Sequence, residues 1–160
     1  MVEEIFSKSE KITIARYILE SLSEWFELKE GREQYIAECV EQIFISAKYN
    51  GEYIGFLCLK ETSKDTVEIA VMGVLKNYHR QGVGRQLLET AKRIAKQNGY
   101  SFLQVKTVKM GLYESYDKTN LFYISCGFKE FEIFPTLWNK NNPCQIYVMS
   151  TNNDETKNTI

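Results

Sequence analysis

The stretch running Val71-Met72-Gly73-Val74-Leu75 and then His79-Arg80-Gln81-Gly82-Val83-Gly84-Arg85 into Leu87-Leu88 constrains this chain more than any other. It passes from an apolar strand through a basic, glycine-bearing turn into a helix. Glycines let the backbone approach a ligand closely, and the first N–H groups of a helix point unpaired toward whatever sits at its positive end. A pyrophosphate suits such a place.

Two familiar nucleotide motifs fail here. In the dinucleotide pattern G-x-G-x-x-G the third glycine position is held by Leu87, and the next expected strand, 102–108, ends in no acidic residue for a ribose hydroxyl. The triphosphate-binding loop fails because no G-K-[ST] follows the glycines. A plain strand-to-helix turn that needs glycine only for geometry stays open beside the anion-binding reading.

The rest of the chain frames this turn. Its 160 residues, 44% hydrophobic and 26% charged, suffice for one core without metal or disulfide staples, and we expect a single domain over 1–150 with a frayed polar tail at 151–160. A formal net charge of -1 excludes a generally basic, nucleic-acid-binding surface, so an anionic ligand must be held locally. Met1 to Ile5 carries acid where an export signal needs positive charge, and the apolar runs fall short of the roughly 20 residues of a membrane helix. Cys39, Cys58, Cys126 and Cys144 lack C-x-x-C spacing and read as reduced thiols of a cytoplasmic protein.

Ile14, Ile18, Leu22 and Trp25 recur at helical spacing, and a second helix is expected over 33–40. Strands over 43–48 and 53–61 flank Asn50-Gly51, a dipeptide suited to a tight hairpin, and a third covers 67–75. After the helix that starts at Val83 and stops at Asn98-Gly99 come a strand over 102–108, a helix over 118–125 closed by Gly127, and strands over 128–134 and 145–150.

Placed in that order, His79-Arg80-Gln81-Gly82-Val83-Gly84 resembles motif A, [QR]-x-x-G-x-[GA], of the GCN5-related N-acetyltransferases, with His79 departing from the first position. Leu121-Phe122-Tyr123-Ile124-Ser125-Cys126-Gly127-Phe128 looks like the same family's motif B, F/L-Y-x-x-x-G-F. The resemblance covers about 12–149. It implies an α+β fold whose mixed, mostly antiparallel sheet splays between its fourth and fifth strands, flanked by about four helices.

It also implies acetyl-CoA as cosubstrate, with the pantetheine arm lying in the splay. Met72, Gly73 and Val74 would then bind the arm through backbone groups, the Met72 N–H polarising the thioester carbonyl. The turn His79, Arg80, Gln81, Gly82, Val83, Gly84 and Arg85 would hold the pyrophosphate. Tyr116 stands where many members carry an asparagine that touches pantetheine.

Direct attack on a thioester needs a neutral amine, whereas an alkylamine of pKa near 10.4 is protonated at neutral pH, so a base is required. Glu68 lies at the offset from motif A used by the histone-acetylating branch; the alternative is an exposed strand glutamate. Tyr123 would protonate the departing thiolate, or would be a helix residue with a buried ring and a wet hydroxyl. His79, the one histidine, lies in the phosphate turn rather than on the acceptor face. One histidine and scattered cysteines supply no metal-ligand set.

The family builds its acceptor site from segments that here offer Trp25, Phe26, Tyr113, Glu114 and Trp138, aromatic and acidic groups that suit a cationic amine. Trp25 would equally serve as a core residue on the apolar face of its helix. The expected partner is a small-molecule primary amine, with no nucleic acid or membrane. A peptide amine and a noncatalytic acyl-CoA sensor are the alternatives. A homodimer is compatible with a sequence that carries no readable oligomeric signal.

Overall fold

The computed structural model describes residues 1–152. Its elements are β1 (Val2–Ile5), α1 (Lys8–Ser21), α2 (Lys29–Cys39), β2 (Ile43–Tyr49), β3 (Glu52–Ser63), β4 (Thr66–Val74), α3 (Val83–Gln97), β5 (Phe102–Val108), α4 (Glu114–Ser125), β6 (Lys129–Asn139) and β7 (Asn142–Ser150). The strands follow the order β1-β2-β3-β4-β5-β7-β6. β4 and β5 pair in parallel over Thr66–Glu68 with Phe102–Gln104. The α+β architecture matches the expectation.

The chain divides into two compact units. The first holds Met1–Lys60 and Ile69–Ala91. Ser7 starts α1, its hydroxyl accepting from the Glu10 N–H, and the α1 face made by Ile14, Ala15, Ile18 and Leu19 is fully buried. The β2–β3 hairpin turns on Asn50 (φ 48°) and Gly51 (φ 80°), the paired positive angles its dipeptide favours. Phe44 and Phe56 stack at 5.2 Å between these strands. Lys11 is buried and donates to the carbonyls of Val40 and Gln42 at 3.2 and 2.8 Å, satisfying the end of α2.

Gly73 packs closely against the end of α1. A Cβ built there would stand 2.9 Å from Leu22 Cδ1 and 3.1 Å from Ile18 Cγ2, so β4 lies against α1 with no room for a side chain.

The second unit holds Glu61–Glu68 and the chain from Lys92 onward. β5 and β7 pair antiparallel from Phe102↔Ser150 to Val108↔Cys144, and Leu103, Val105, Phe128 and Tyr147 fill the core. Asn120 of α4, fully buried, donates to the carbonyls of Val108 at 2.9 Å and Tyr116 at 2.7 Å, and accepts from the Tyr147 hydroxyl at 2.6 Å.

Several elements differ from the sequence reading. β1 was not expected; it is an edge strand held by pairing with β2, from Val2↔Ala47 to Ile5↔Phe44. α1 ends at Ser21, which leaves Trp25 in the following turn rather than on a helix face. α2 begins at Lys29, one turn earlier than read, with Gly31 in its first turn, and α4 likewise begins at Glu114. β6 continues through Pro135 to Asn139, an exception tolerated because it is the terminal strand of the sheet.

Of the expected polar tail, 153–160 lies outside the described residues. Thr151 is buried, its N–H donating to the Ser101 carbonyl and its hydroxyl to that of Tyr100 at 2.7 Å. Among the described residues, no helix is long and apolar enough to cross a membrane.

Candidate functional site

In the first unit, β4 ends at Val74 and the Leu75 N–H donates to the Ile54 carbonyl at 2.8 Å. A single 3-10 turn at Lys76–Tyr78 follows. Arg80 and Gly82 then take left-handed conformations, φ 61° and 85°, and swing the chain into α3. The bond Gln86 N–H to Gly82 C=O opens the helix, so the N–H groups of Val83 and Gly84 point out of its start. A Cβ at Gly82 would meet nothing within 4 Å, which leaves the approach to these donors open. An open groove of about 640 Å³ adjoins the turn, lined by Val2, Gly82, Arg85, Gln86, Glu89 and Thr90.

His79 explains how this turn is braced. Its Nε2 lies 2.6 Å from the Val74 carbonyl, which can only accept, so Nε2 carries the proton and the ring clamps the end of β4 to the turn. The Trp25 ring meets the imidazole edge-on at 5.7 Å. Val74 therefore already spends its carbonyl, a contact the sequence could not reveal. Gln81 donates to the Asn77 carbonyl at 2.9 Å, and Lys76 pairs with Glu24. His79→Ala should loosen the turn and weaken acetyl-CoA binding about fivefold by calorimetry, the worth of one hydrogen bond of about 1 kcal/mol.

Met72 and Val74 are half-buried and Gly73 is buried, while His79, Arg80, Gln81, Gly82 and Arg85 are exposed. Phe26 is half-buried, edge-on to Tyr35 at 5.9 Å, and the Arg32 guanidinium donates to its carbonyl at 2.8 Å. Of the expected acceptor residues, Trp25 and Phe26 belong to this unit.

The second unit carries Glu68, Tyr123, Tyr116, Tyr113, Glu114 and Trp138. Glu68 is not the exposed strand glutamate of the alternative reading, since only 4% of it is accessible. Its Cα partner is Gln104, and strand alternation puts Gln104 and Lys106 on one face of β5. Both reach Glu68 Oε1, the Gln104 amide at 2.8 Å and the Lys106 ammonium at 3.0 Å. Sequence reasoning missed these two, because the contacts join positions 36 and 38 residues apart. Only the i, i+2 pair Gln104 and Lys106, in a strand otherwise apolar apart from Thr107, hinted at a polar face.

Tyr123 packs against Phe122, Phe128 and Tyr147 and is 7% exposed, with no hydrogen-bond partner for its hydroxyl among the described residues. Burial pushes its phenol far above the ordinary value, with a smaller push from Cys126, so it stays protonated at neutral pH. Tyr113 and Tyr116 meet edge-on at 5.9 Å, and burial and then Tyr113 raise the Tyr116 phenol. Glu114 is exposed and pairs with Lys118 at 3.6 Å; Trp138 is 46% exposed on β6.

Comparison with known proteins agrees with this fold. The model of the acetyltransferase (GNAT) family matches residues 11–128, more than two thirds of the chain. An uncharacterized N-acetyltransferase of Chlorobaculum tepidum is 28% identical over 112 residues, covering 68% of this chain and 65% of the relative. Among solved structures, a GNAT family acetyltransferase from Elizabethkingia anophelis with acetyl-CoA bound superposes with a TM-score of 0.73 at 22% identity, covering 94% of this chain and 97% of that one. The aminoglycoside 6'-N-acetyltransferase from Enterococcus faecium gives 0.76 at 14% identity, covering 96% and 98%. These structural likenesses carry the fold.

Proposed function

This chain belongs to the acetyltransferase (GNAT) family, and from that premise we propose that it moves the acetyl group of acetyl-CoA directly to the primary amine of a small molecule within a ternary complex. The observation that carries the reading is the left-handed turn at Arg80 and Gly82, which leaves the Val83 and Gly84 N–H groups facing outward at the start of α3. Arg80 and Arg85 add positive charge at this anion site. Acetyl-CoA supplies an activated thioester.

Met72, on the half-buried edge of β4, offers its N–H to the thioester oxygen as negative charge develops, an interaction worth roughly 3 kcal/mol in a formed oxyanion hole. Glu68 takes the proton of the amine, directly or through water. Tyr123 donates to the leaving sulfur. A phenol raised above its usual pKa of about 10 is a weaker acid than a thiol near 8.5, so it serves by hydrogen bonding as the C–S bond breaks rather than by giving up its proton in advance.

A small-molecule acceptor is supported by structural neighbours named for aminoglycosides, and the absence of any disulfide among the described cysteines fits a cytoplasmic setting.

Calorimetry with acetyl-CoA, using NAD as the control, tests the cofactor site, and thiol release over a panel containing an aminoglycoside, a streptothricin and a short peptide tests transfer. Micromolar binding of acetyl-CoA alone is expected, with release stimulated by a small amine. Binding without release by any amine favours an acyl-CoA sensor, and binding of neither nucleotide ends the proposal. Tyr123→Phe should bind acetyl-CoA within about twofold of the parent and turn over at least about tenfold more slowly.

A further inference from the structure

Pro135 has no N–H to give to a ladder, and the pairing of β6 with β7 breaks there. Phe134 faces Cys144 and the next registered pair is Asn139 with Asn142, so Pro135, Thr136, Leu137 and Trp138 stand opposite Pro143 alone. The surplus residues form an arch. Asn139 pins its far end, its side-chain oxygen accepting from the N–H groups of Asn141 and Asn142 at 3.0 Å. On the other flank of β7 the Lys109 N–H donates to the Pro143 carbonyl at 2.9 Å, one step beyond the Val108↔Cys144 pair. The loop after β5 and the arch of β6 therefore flank one residue, roughly 10 Å apart across two strand spacings.

Both arms hold large apolar side chains in solvent. Leu112 and Tyr113 of the loop are 51% and 46% exposed, and Leu137 and Trp138 of the arch 52% and 46%. Bulges of this kind re-aim side chains beside binding sites, and apolar groups gathered at one place suit an apolar ligand. The charge of the same segments turns away a polycation. Residues 109–118 and 135–143 contain Lys109, Lys118 and Lys140 against Glu114 and Asp117. Both carboxylates are engaged, Asp117 accepting from the Gly111 N–H at 2.7 Å and Glu114 lying 3.6 Å from the Lys118 ammonium. Lys109 and Lys140 are exposed.

We propose that this arch and loop select an arylalkyl monoamine as the acetyl acceptor, with Trp138 as the specificity-determining residue. This rests on the reading of Tyr113 and Trp138 as acceptor residues of a transferase. The apolar body of the amine covers the rings, and its single ammonium is tolerated by their faces. Several ammonium groups on one molecule would meet the lysines without a carboxylate to answer them, so a polycation is rejected by repulsion as well as by lack of apolar surface.

The test titrates 15N-labelled protein with 2-phenylethylamine and, separately, with kanamycin, following the indole N–H of Trp138 by NMR. Loss of that resonance in Trp138→Phe assigns it. The signal is expected to move with the aryl amine and to stay in place with kanamycin at the same concentration. No movement with the aryl amine, or a larger response to kanamycin, overturns the proposal.

Thiol release in the presence of acetyl-CoA supplies the second measurement. Trp138→Ala should raise KM for 2-phenylethylamine about tenfold and leave kcat within about twofold, the worth of one aromatic contact, and Trp138→Phe should restore KM to within about threefold of the parent. An unchanged KM in Trp138→Ala removes Trp138 as the selecting residue. If the indole signal moves and no thiol is released, the surface takes the amine and the transferase reading fails. Release with an unmoved indole signal leaves that reading standing and ends this one.

Discussion

Gly82→Asp is expected to abolish measurable acetyl-CoA binding while leaving a folded protein. The position has φ 85°, where a side chain costs roughly 1–2 kcal/mol, and a Cβ there meets no atom within 4 Å, so strain and not collision is the local penalty. Charge repulsion costs more. A carboxylate held about 4 Å from a phosphate opposes it by about 4 kcal/mol at the effective dielectric of a protein surface. Together these predict a loss of more than about a thousandfold in affinity.

Gly82→Ala separates strain from repulsion, since alanine brings the Cβ without the carboxylate and should lose no more than about tenfold. Calorimetry alongside thermal unfolding reads both. Parent-like binding by Gly82→Asp would show that the turn holds no anion.

The largest loss of stability is expected at Asn120. Replacing it with alanine removes the acceptor of the Tyr147 hydroxyl and the donor to the Val108 carbonyl in a site without solvent. The Tyr116 carbonyl, inside α4, keeps its helical partner. Two stranded groups at about 1–3 kcal/mol each put the cost near 3 kcal/mol, which lowers the Tm of a chain of this size by about 6–12 °C.

Removing both ends of a buried hydrogen bond costs less than removing one. Adding Tyr147→Phe to Asn120→Ala should therefore recover part of the loss in a differential scanning measurement. A further drop equal to that of Tyr147→Phe alone would mean that the two side chains do not act as a pair.

What could be read in advance divides by the range of the contact. The strand-to-helix turn was legible because strand, glycines and helix start fall within eighteen consecutive residues, and the β2–β3 hairpin because Asn50-Gly51 states its own dihedral angles. β1 was illegible: Val2 to Ile5 carries no pattern of its own and becomes a strand through β2. Trp25 was misplaced since helical spacing continued past the real end of α1 at Ser21, where Leu22 N–H turns back to the Leu19 carbonyl.

The candidate site shows the same division. Tyr123 was singled out from motif B as a proposed residue, but the shell of Phe122, Phe128 and Tyr147 around it comes from folding. Glu68 was proposed from its offset along the chain, while its contacts Gln104 and Lys106 lie across a ladder whose register no local pattern encodes. The brace from His79 to Val74 accounts for a departure from motif A that has no explanation in the sequence alone.

The bare backbone at Gly73 separates two evolutionary freedoms. Because the strand proposed to align the thioester rests directly on Ile18 and Leu22, its position is inherited from the interior of α1 and not from any residue that would touch an acceptor. The acceptor surface can then diversify without retuning the donor, whereas a swap between aliphatic residues at Ile18 or Leu22 would be felt as a change in rate.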